Sequence, residues 1–247
     1  MNTQIKTILA IPCFLAFATI SNAASVNSNG TLVDLTPPGN GVGTDVADID
    51  STGAASDGFY LFNSQPEGTN VSGQPWDQAA VDSLPAYVGT LDGSGSDSSG
   101  GWANYDDVTV GGANYNTGGI VLSPGDGVET RLFSFTLDGA VPPTVTAGLI
   151  ADNSDSLNWD VSNVRIEGPG GITANQNVDR NGGTDLVLFN IDGGAAGETY
   201  TIHGTSPPSG ALLGGITFTS VPEPASVSLL GIGLIAVLTA RRRRRKN

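Results

Sequence analysis

The 247-residue chain carries 24 acidic and 10 basic residues, so its formal net charge is −14. Seven of the basic residues lie near the two ends of the chain, and the region 24–220 holds three cations against 23 carboxylates, a formal charge of −20. A region this acidic repels the phosphates of nucleic acids, which excludes nucleic-acid binding. It is long enough for one domain with a substantial core.

Residues 1–23 have the three parts of a secretory signal peptide. Lys6 supplies the positive charge, an apolar stretch follows, and Ser21-Asn22-Ala23 ends the segment with a small-residue cleavage site. We therefore expect signal peptidase to leave Ala24 as the first residue of an exported protein. The single cysteine, Cys13, leaves with this segment, so the exported domain must be stable without a disulfide.

Short strands separated by turn residues recur between residues 24 and 220. Glycine is abundant, and no window in this region keeps a 3.6-residue apolar period for three turns, which argues against long helices. Runs of β-branched and aromatic residues end instead at Gly, Pro, Asp or Asn. Strands are predicted at 31–35, 59–62, 108–110, 120–122, 131–137, 144–150, 161–167, 185–191, 199–203 and 212–219. This spacing predicts an all-β fold, an antiparallel β-sandwich, with a jelly roll as one form of it.

Two of these strands indicate their own position in a sheet. Phe133, Phe135 and Leu137 fall on one face of their strand and polar residues on the other, as in a strand with one buried side. The strand at 185–191 begins apolar on both faces, which predicts a more central position. Residues 75–82 begin with proline and are predicted to form one or two helical turns.

The region offers little for enzyme chemistry. His203 is its one histidine, and no Gly-x-Ser-x-Gly elbow marks a serine nucleophile, so a serine hydrolase is not predicted. A glycosidase needs two carboxylates, and that class stays open as an alternative. Its candidate glutamates are Glu67, Glu129, Glu167 and Glu198. We therefore expect a non-enzymatic protein, with no catalytic residue and no cofactor assigned.

An acidic loop near residue 50 is the strongest candidate for binding calcium. Asp48 and Asp50 flank an isoleucine, hydroxyl residues and a glycine follow, and Asp45 lies just before, which gives the oxygen ligands that a hard cation prefers. The loop is not an EF-hand, because its twelfth position is Phe59 and not glutamate. Turn formation alone also explains many of the chain's aspartates. Calcium is thus an alternative cofactor, with Asp45, Asp48 and Asp50 as candidate ligands.

Aromatic residues in polar, glycine-rich surroundings suggest carbohydrate binding. A flat ring stacks on a sugar, while neighbouring asparagine and aspartate side chains accept hydrogen bonds from its hydroxyl groups. The residues in question are Trp76, Trp102, Tyr105, Tyr115 and Trp159. Burial of the same rings in the core is the other explanation, and both stay open.

The C-terminal segment 221–247 places three elements in series. Pro222-Glu223-Pro224 cannot continue a helix, and residues 225–240 form an apolar run. As a helix these 16 residues would span roughly 24 Å, somewhat less than a hydrocarbon core of about 30 Å. The basic tail 241–247 contains Arg241, Arg242, Arg243, Arg244 and Arg245. Because this charge stays on the cytoplasmic side, we expect a transmembrane helix with the tripeptide on the outer side.

This arrangement resembles the PEP-CTERM sorting signal of exported bacterial proteins. The resemblance rests on Val221-Pro222-Glu223-Pro224-Ala225-Ser226, on residues 229–234 and on the terminal arginines. It implies that an exosortase, a membrane-embedded transpeptidase-like protease, recognises Pro222, Glu223 and Pro224 as its substrate. The glycine- and aspartate-rich body is similar to β domains that accompany such signals. The family's association with exopolysaccharide and biofilm matrix supplies an expected context.

The sequence therefore predicts a signal peptide at 1–23, an extracytoplasmic β-sandwich at 24–220 and a sorting signal at 221–247. The C-terminal helix is expected to hold the protein transiently in the inner membrane, and processing then moves it to the cell surface or releases it. The predicted function is that of a non-enzymatic surface or extracellular-matrix protein. A calcium-dependent exopolysaccharide-binding module and a glycosidase are the alternatives.

Overall fold

A computed structural model describes residues 24–27, 32–35, 47–62, 64–66, 81–92, 105–117, 120–122, 127, 129–152, 161–173, 175–177, 184–206 and 211–221. Within these residues lie 17 strands and one short 3-10 helix, η1 (Asp50–Thr52). The strands are β1 (Ser25–Asn27), β2 (Leu32–Asp34), β3 (Ala47–Asp48), β4 (Gly58–Leu61), β5 (Ser64–Pro66), β6 (Val81–Ser83), β7 (Val88–Asp92), β8 (Tyr105–Val110), β9 (Ala113–Thr117), β10 (Ile120–Leu122), β11 (Glu129–Leu137), β12 (Thr144–Asp152), β13 (Ser162–Gly168), β14 (Gly171–Ile172), β15 (Thr184–Asp192), β16 (Thr199–Thr205) and β17 (Ala211–Val221). The all-β prediction is confirmed for the described residues.

The strands form three sheets. The largest has eight strands in the order β1-β15-β12-β17-β4-β6, with β2 also beside β15 and β10 also beside β17. A five-stranded sheet has the order β14-β13-β16-β11-β7, and a four-stranded sheet the order β3-β8-β9-β5. The described pairs are antiparallel except β3 with β8, which is parallel.

The five- and eight-stranded sheets face each other across the main core. Phe135 of β11 stacks on Tyr200 of β16 with ring centroids 5.7 Å apart, and it forms a T-shaped pair with Phe218 of β17 with centroids 5.2 Å apart. Phe133, Phe135 and Leu137 are all buried here, as their alternation predicts. The two sheets thus pack as a sandwich, held by apolar side chains from both inner faces.

A second core lies on the other face of the eight-stranded sheet. Val108 and Val110 of β8 pack there with Ile150 of β12 and Leu186 of β15. Leu186 therefore faces one core while its neighbour Val187 faces the other, so β15 has apolar contacts on both sides. The predicted central position of residues 185–191 is confirmed, and the physical reason is a third layer of sheet. The jelly-roll form stays a prediction.

All ten strands predicted from the sequence overlap an observed strand. The helical turn predicted at 75–82 is wrong at its end, because Val81–Ser83 forms β6 and pairs with β4; residues 75–80 lie outside the described residues. The signal peptide at 1–23 and the transmembrane helix at 225–240 also lie outside them. Within the described part of the chain, no helix is long and apolar enough to span a membrane.

Candidate functional site

Both ends of the described chain lie at one end of the eight-stranded sheet. Ser25 of β1 is paired with Asp192 of β15, Asp192 with Thr144 of β12, and Thr144 with Val221 of β17. Neighbouring strands are about 4.8 Å apart, so Ser25 and Val221 are separated by about 14 Å. We call the end of the domain marked by these four residues the exit pole.

The last strand is fixed in the middle of this sheet. β17 pairs with β12 from Leu212 to Val221, and its other side pairs with β10 and then with β4. Phe218 is fully buried, whereas Val221 at the strand's end is 49% exposed. Pro222 is the next residue in the chain, so no spacer separates the sheet from the Pro-Glu-Pro tripeptide.

Residues 220–245 match the family model of the PEP-CTERM protein-sorting motif. The matched segment starts inside β17 and contains Pro222, Glu223 and Pro224 as well as the terminal arginines. The motif implies an exported protein that passes through the membrane and is processed by an exosortase-type enzyme. The match confirms the predicted sorting signal. Neither a curated protein nor a solved structure matches the chain.

A row of basic residues crosses the outer face of the five-stranded sheet. Arg131 of β11 lies opposite His203 of β16, and His203 lies opposite Arg165 of β13. Arg131 forms an ion pair with Asp92, whose carboxylate oxygen is 3.2 Å from the guanidinium. We call Arg131, His203 and Arg165 the basic row. The sequence did not predict it, because the three residues meet only through strand register.

Two glutamates complete the charges around the basic row. Both terminal nitrogens of Arg165 donate hydrogen bonds to the carboxylate of Glu129. His203 lies between the glutamates, with Nε2 3.2 Å from Oε2 of Glu167 and Nδ1 3.8 Å from Oε1 of Glu129. The hydrogen bonds from Arg165, and to a lesser degree its charge and that of His203, hold the pKa of Glu129 below its ordinary value. Glu129 is therefore placed as an ionised partner of arginine.

The remaining described glutamate is also bonded within the fold. Oε2 of Glu198 accepts hydrogen bonds from the backbone N–H of Ala195 at 2.9 Å and from the hydroxyl of Tyr200 at 2.7 Å. Burial, aided by this bond and by the negative charge of Glu198, raises the pKa of Tyr200. Of the four glutamates named for a glycosidase, Glu67 lies outside the described residues. The glycosidase alternative stays a prediction.

The acidic loop proposed for calcium is built into the second core's edge. Oδ1 of Asp48 accepts a hydrogen bond from the N–H of Ser51 at 3.0 Å. Asp50 accepts two, from Gly111 to Oδ1 and from Gly112 to Oδ2, both at 2.8 Å. The carboxylate of Asp50 thus bonds to the two-residue turn between β8 and β9.

Calcium binding by this loop stays a prediction. Asp45 lies outside the described residues, and the side chains of Asp48 and Asp50 make the bonds given above. No group of three or more His, Cys, Asp or Glu side chains placed to hold a metal occurs within the described ranges.

The aromatic candidates for carbohydrate binding are mostly outside the described structure. Trp76, Trp102 and Trp159 lie beyond the described residues, and the side chain of Tyr105 is not described. Tyr115 is half-buried and packs against Phe59, with ring centroids 6.0 Å apart. Core packing therefore accounts for Tyr115.

Proposed function

We propose that this chain is a non-enzymatic β-sandwich protein of the cell surface or extracellular matrix, delivered there through its C-terminal sorting signal. The observation that carries the proposal is the position of the motif's Pro-Glu-Pro tripeptide directly after β17, a strand paired on both sides within the largest sheet. A folded domain of three sheets therefore ends where the signal begins. The signal can therefore be removed while the sheets of the domain stay intact.

The chemistry of the domain supports a structural role. Its two described arginines are paired with carboxylates, and Glu129 and Glu198 are bonded within the fold. The formal charge of −20 between residues 24 and 220 favours solubility and hydration outside the cell. No cysteine follows Cys13, so the domain has no disulfide and its stability comes from two apolar cores. Such a domain stays stable in an oxidising compartment without any thiol that could be oxidised.

In this proposal the membrane is a temporary support. Signal peptidase removes residues 1–23, the apolar run 225–240 anchors the chain in the inner membrane, and the arginines keep its end in the cytoplasm. The exosortase-type enzyme then acts at Pro222-Glu223-Pro224 and frees the domain for the cell surface or the medium. Exopolysaccharide is the expected matrix partner.

The proposal is tested by following the full chain in cells that contain an exosortase-type enzyme. The wild type should lose its arginine end and leave the inner membrane, as shown by intact-mass spectrometry and cell fractionation. Glu223→Ala should keep that end and stay in the membrane. Glu167→Ala removes one carboxylate from the domain and should be processed normally. A wild-type chain that stays cytosolic, or that keeps its arginines indefinitely, contradicts the proposal.

A calcium-dependent carbohydrate-binding module is the second candidate. It is favoured by the outer face of the five-stranded sheet, which presents polar side chains such as Ser134 and Thr201 and on which no other described sheet packs. A glycan array probed with and without a calcium chelator tests it. Binding that is lost with chelator would favour this candidate, and an array without signal would remove it.

A further inference from the structure

The end of β17 is held differently from the rest of the strand. Ala211–Leu213 pair with β10 and Gly215–Phe218 pair with β4, while β12 lies along the other side. Thr219 still bonds across to the far side, through its hydroxyl and that of Ser56. Ser220 and Val221 are paired with β12 alone among the described strands. They are the residues of β17 that can separate while the strand keeps its two-sided pairing elsewhere.

The distance between the sheet and the membrane is short. Three residues, Pro222 to Pro224, separate Val221 from the apolar run, and three extended residues span at most about 10 Å. The pairing of β12 with β15 continues past the exit pole, since the N–H of Gly193 donates a hydrogen bond to the carbonyl of Pro143 at 2.8 Å. An extended peptide is bound through main-chain hydrogen bonds and pockets for alternate side chains. We therefore expect a peptidase that binds its substrate in this way to contact residues before the tripeptide as well as the tripeptide itself. With Val221 paired in the sheet, the residues on the amino side are not free to enter an active site.

We propose that Ser220 and Val221 separate from Val145 and Thr144 of β12 to give the processing enzyme access, while Thr219 and the rest of β17 stay paired. The inference rests on the proposed function, because it concerns the same membrane-embedded peptidase. Two released residues add about 7 Å of extended chain. The last two residues of β17 thereby serve as the linker between the folded domain and the tripeptide.

The local structure favours opening at this point and not deeper. The end of a strand with one neighbour opens at a small cost in free energy, whereas paired and buried segments open at a cost near that of global unfolding. Val221 is 49% exposed, but Phe218 is fully buried and contacts Phe135 across the core. Separation that reached Phe218 would disturb the main core.

Two engineered disulfides test the proposal in the full chain. Thr144→Cys with Val221→Cys joins a directly opposed pair at the strand's end, where the Cα atoms of such pairs are about 4.5–5.5 Å apart and so within the range that a disulfide spans. Thr146→Cys with Thr219→Cys joins the opposed pair two residues deeper on the same face and is the matched control. The mature domain is predicted to contain no other cysteine, so each bond is unambiguous.

Processing is measured by pulse-chase in membranes from exporting cells that contain the enzyme, with and without dithiothreitol. The lock at 144 and 221 should slow loss of the C-terminal segment by about tenfold or more, because only the opened fraction is a substrate. The control lock should change the rate by less than about twofold, since residues 220 and 221 stay free to separate. Dithiothreitol should restore the rate, and Val221→Cys alone measures the effect of the side chain.

A spacer completes the test. Eight Gly and Ser residues inserted between Val221 and Pro222 should restore processing of the locked chain, because free chain then reaches the enzyme. Wild-type rates in the locked chain would overturn the inference, as would a locked chain that stays slow after an insertion that leaves the unlocked chain processed. A melting curve of each locked domain shows that it is folded. If the unlocked chain without the spacer is never processed either, the proposed function fails and not the opening of the strand alone.

Discussion

Replacing Asp50 with alanine tests how the acidic loop is joined to the hairpin beside it. Asp50 accepts hydrogen bonds from the N–H groups of Gly111 and Gly112, each at 2.8 Å. These glycines connect β8 to β9 with φ angles of 61° and 76°. Two residues with positive φ form the tight turn that a two-residue hairpin prefers, and this conformation aims both N–H groups at one carboxylate.

The expected loss of stability follows from these two bonds. A hydrogen bond to a charged acceptor contributes about 1.5–3 kcal/mol when it is well shielded from water. Asp50 and both glycines are exposed, so water can replace the lost acceptor. We therefore expect a cost of about 1 kcal/mol for each bond and about 2 kcal/mol in all. For a domain of this size the melting temperature should fall by about 4–8 °C.

The assay is thermal melting of a protein containing residues 24–221, followed by circular dichroism. Asp50→Asn retains one acceptor oxygen and should lose about half as much stability. Asp48→Ala is the matched control, because Asp48 accepts a local bond from Ser51 within its own loop and should cost less. Each protein is melted with calcium and with chelator, since a ligand of the native state raises the melting temperature.

Two results would refute this account of the loop. Asp50→Ala could melt within about 1 °C of the wild type, which would mean that water replaces both bonds at no cost. Calcium could instead raise the wild-type melting temperature by several degrees and leave both alanine variants unchanged. That result would assign Asp48 and Asp50 to a metal site.

Four further predictions concern the cores and the pH dependence of stability. Gly111→Ala should lower the free energy of unfolding in urea more than Gly112→Ala does. A Cβ at residue 111 would lie 2.7 Å from a ring carbon of Phe59, whereas a Cβ at residue 112 would meet no atom within 4 Å. Equal losses of stability would contradict this. Phe135→Ala should cost about 3–5 kcal/mol in the same assay, since its ring fills the space between two sheets, and a loss below about 1 kcal/mol would contradict that packing. The folded state lowers the pKa of Glu129, so the ion pair of Glu129 with Arg165 stabilises the fold fully above the ordinary carboxyl pKa. This stabilisation is lost as pH falls through the lowered pKa. Glu129→Gln should therefore make the melting temperature depend less on pH in the acid range. Burial and a hydrogen bond to Asp57 raise the pKa of the Tyr87 hydroxyl. The stability that this hydroxyl contributes is therefore complete below a pH of about 10 and is lost as pH rises further. Tyr87→Phe should reduce the loss of melting temperature at alkaline pH.

The long strands were predictable because their own residues decide them. β11 and β15 alternate or run apolar over several residues and end at Asp-Gly, whose glycines Gly139 and Gly193 have φ angles of 58° and 68°. Short polar strands carry no such pattern. β9 has the sequence Ala-Asn-Tyr-Asn-Thr and is a strand because β8 and β5 pair with its two sides. Neighbours in space decide such segments, and one sequence does not reveal them.

The candidate sites differ in the same way. The sorting motif is a continuous segment, so its residues could be named from the sequence. The basic row and its glutamate partners depend on the register of the strands. Arg165 and its partner Glu129 are 36 residues apart in the chain. In addition, a bulge between Arg131 and Phe133 changes which residues of β11 face outward. The acidic pattern around Asp50 was visible, but its hydrogen-bond donors lie 61 and 62 residues away. Sequence could indicate an oxygen-rich loop and not what bonds to it.

The position of β17 connects the fold to its sorting. A tail attached to a strand at the edge of a sheet could pull that strand away, because one row of hydrogen bonds would hold it. β17 instead has β12 on one side and β10 and β4 on the other. Pulling the whole strand out of the sheet would therefore break two rows of hydrogen bonds. Among the described strands, Ser220 and Val221 pair with β12 alone. In the opening proposed above, a strand fixed along its length and released at its last two residues would allow the processing enzyme to work on the tail while both apolar cores stay closed.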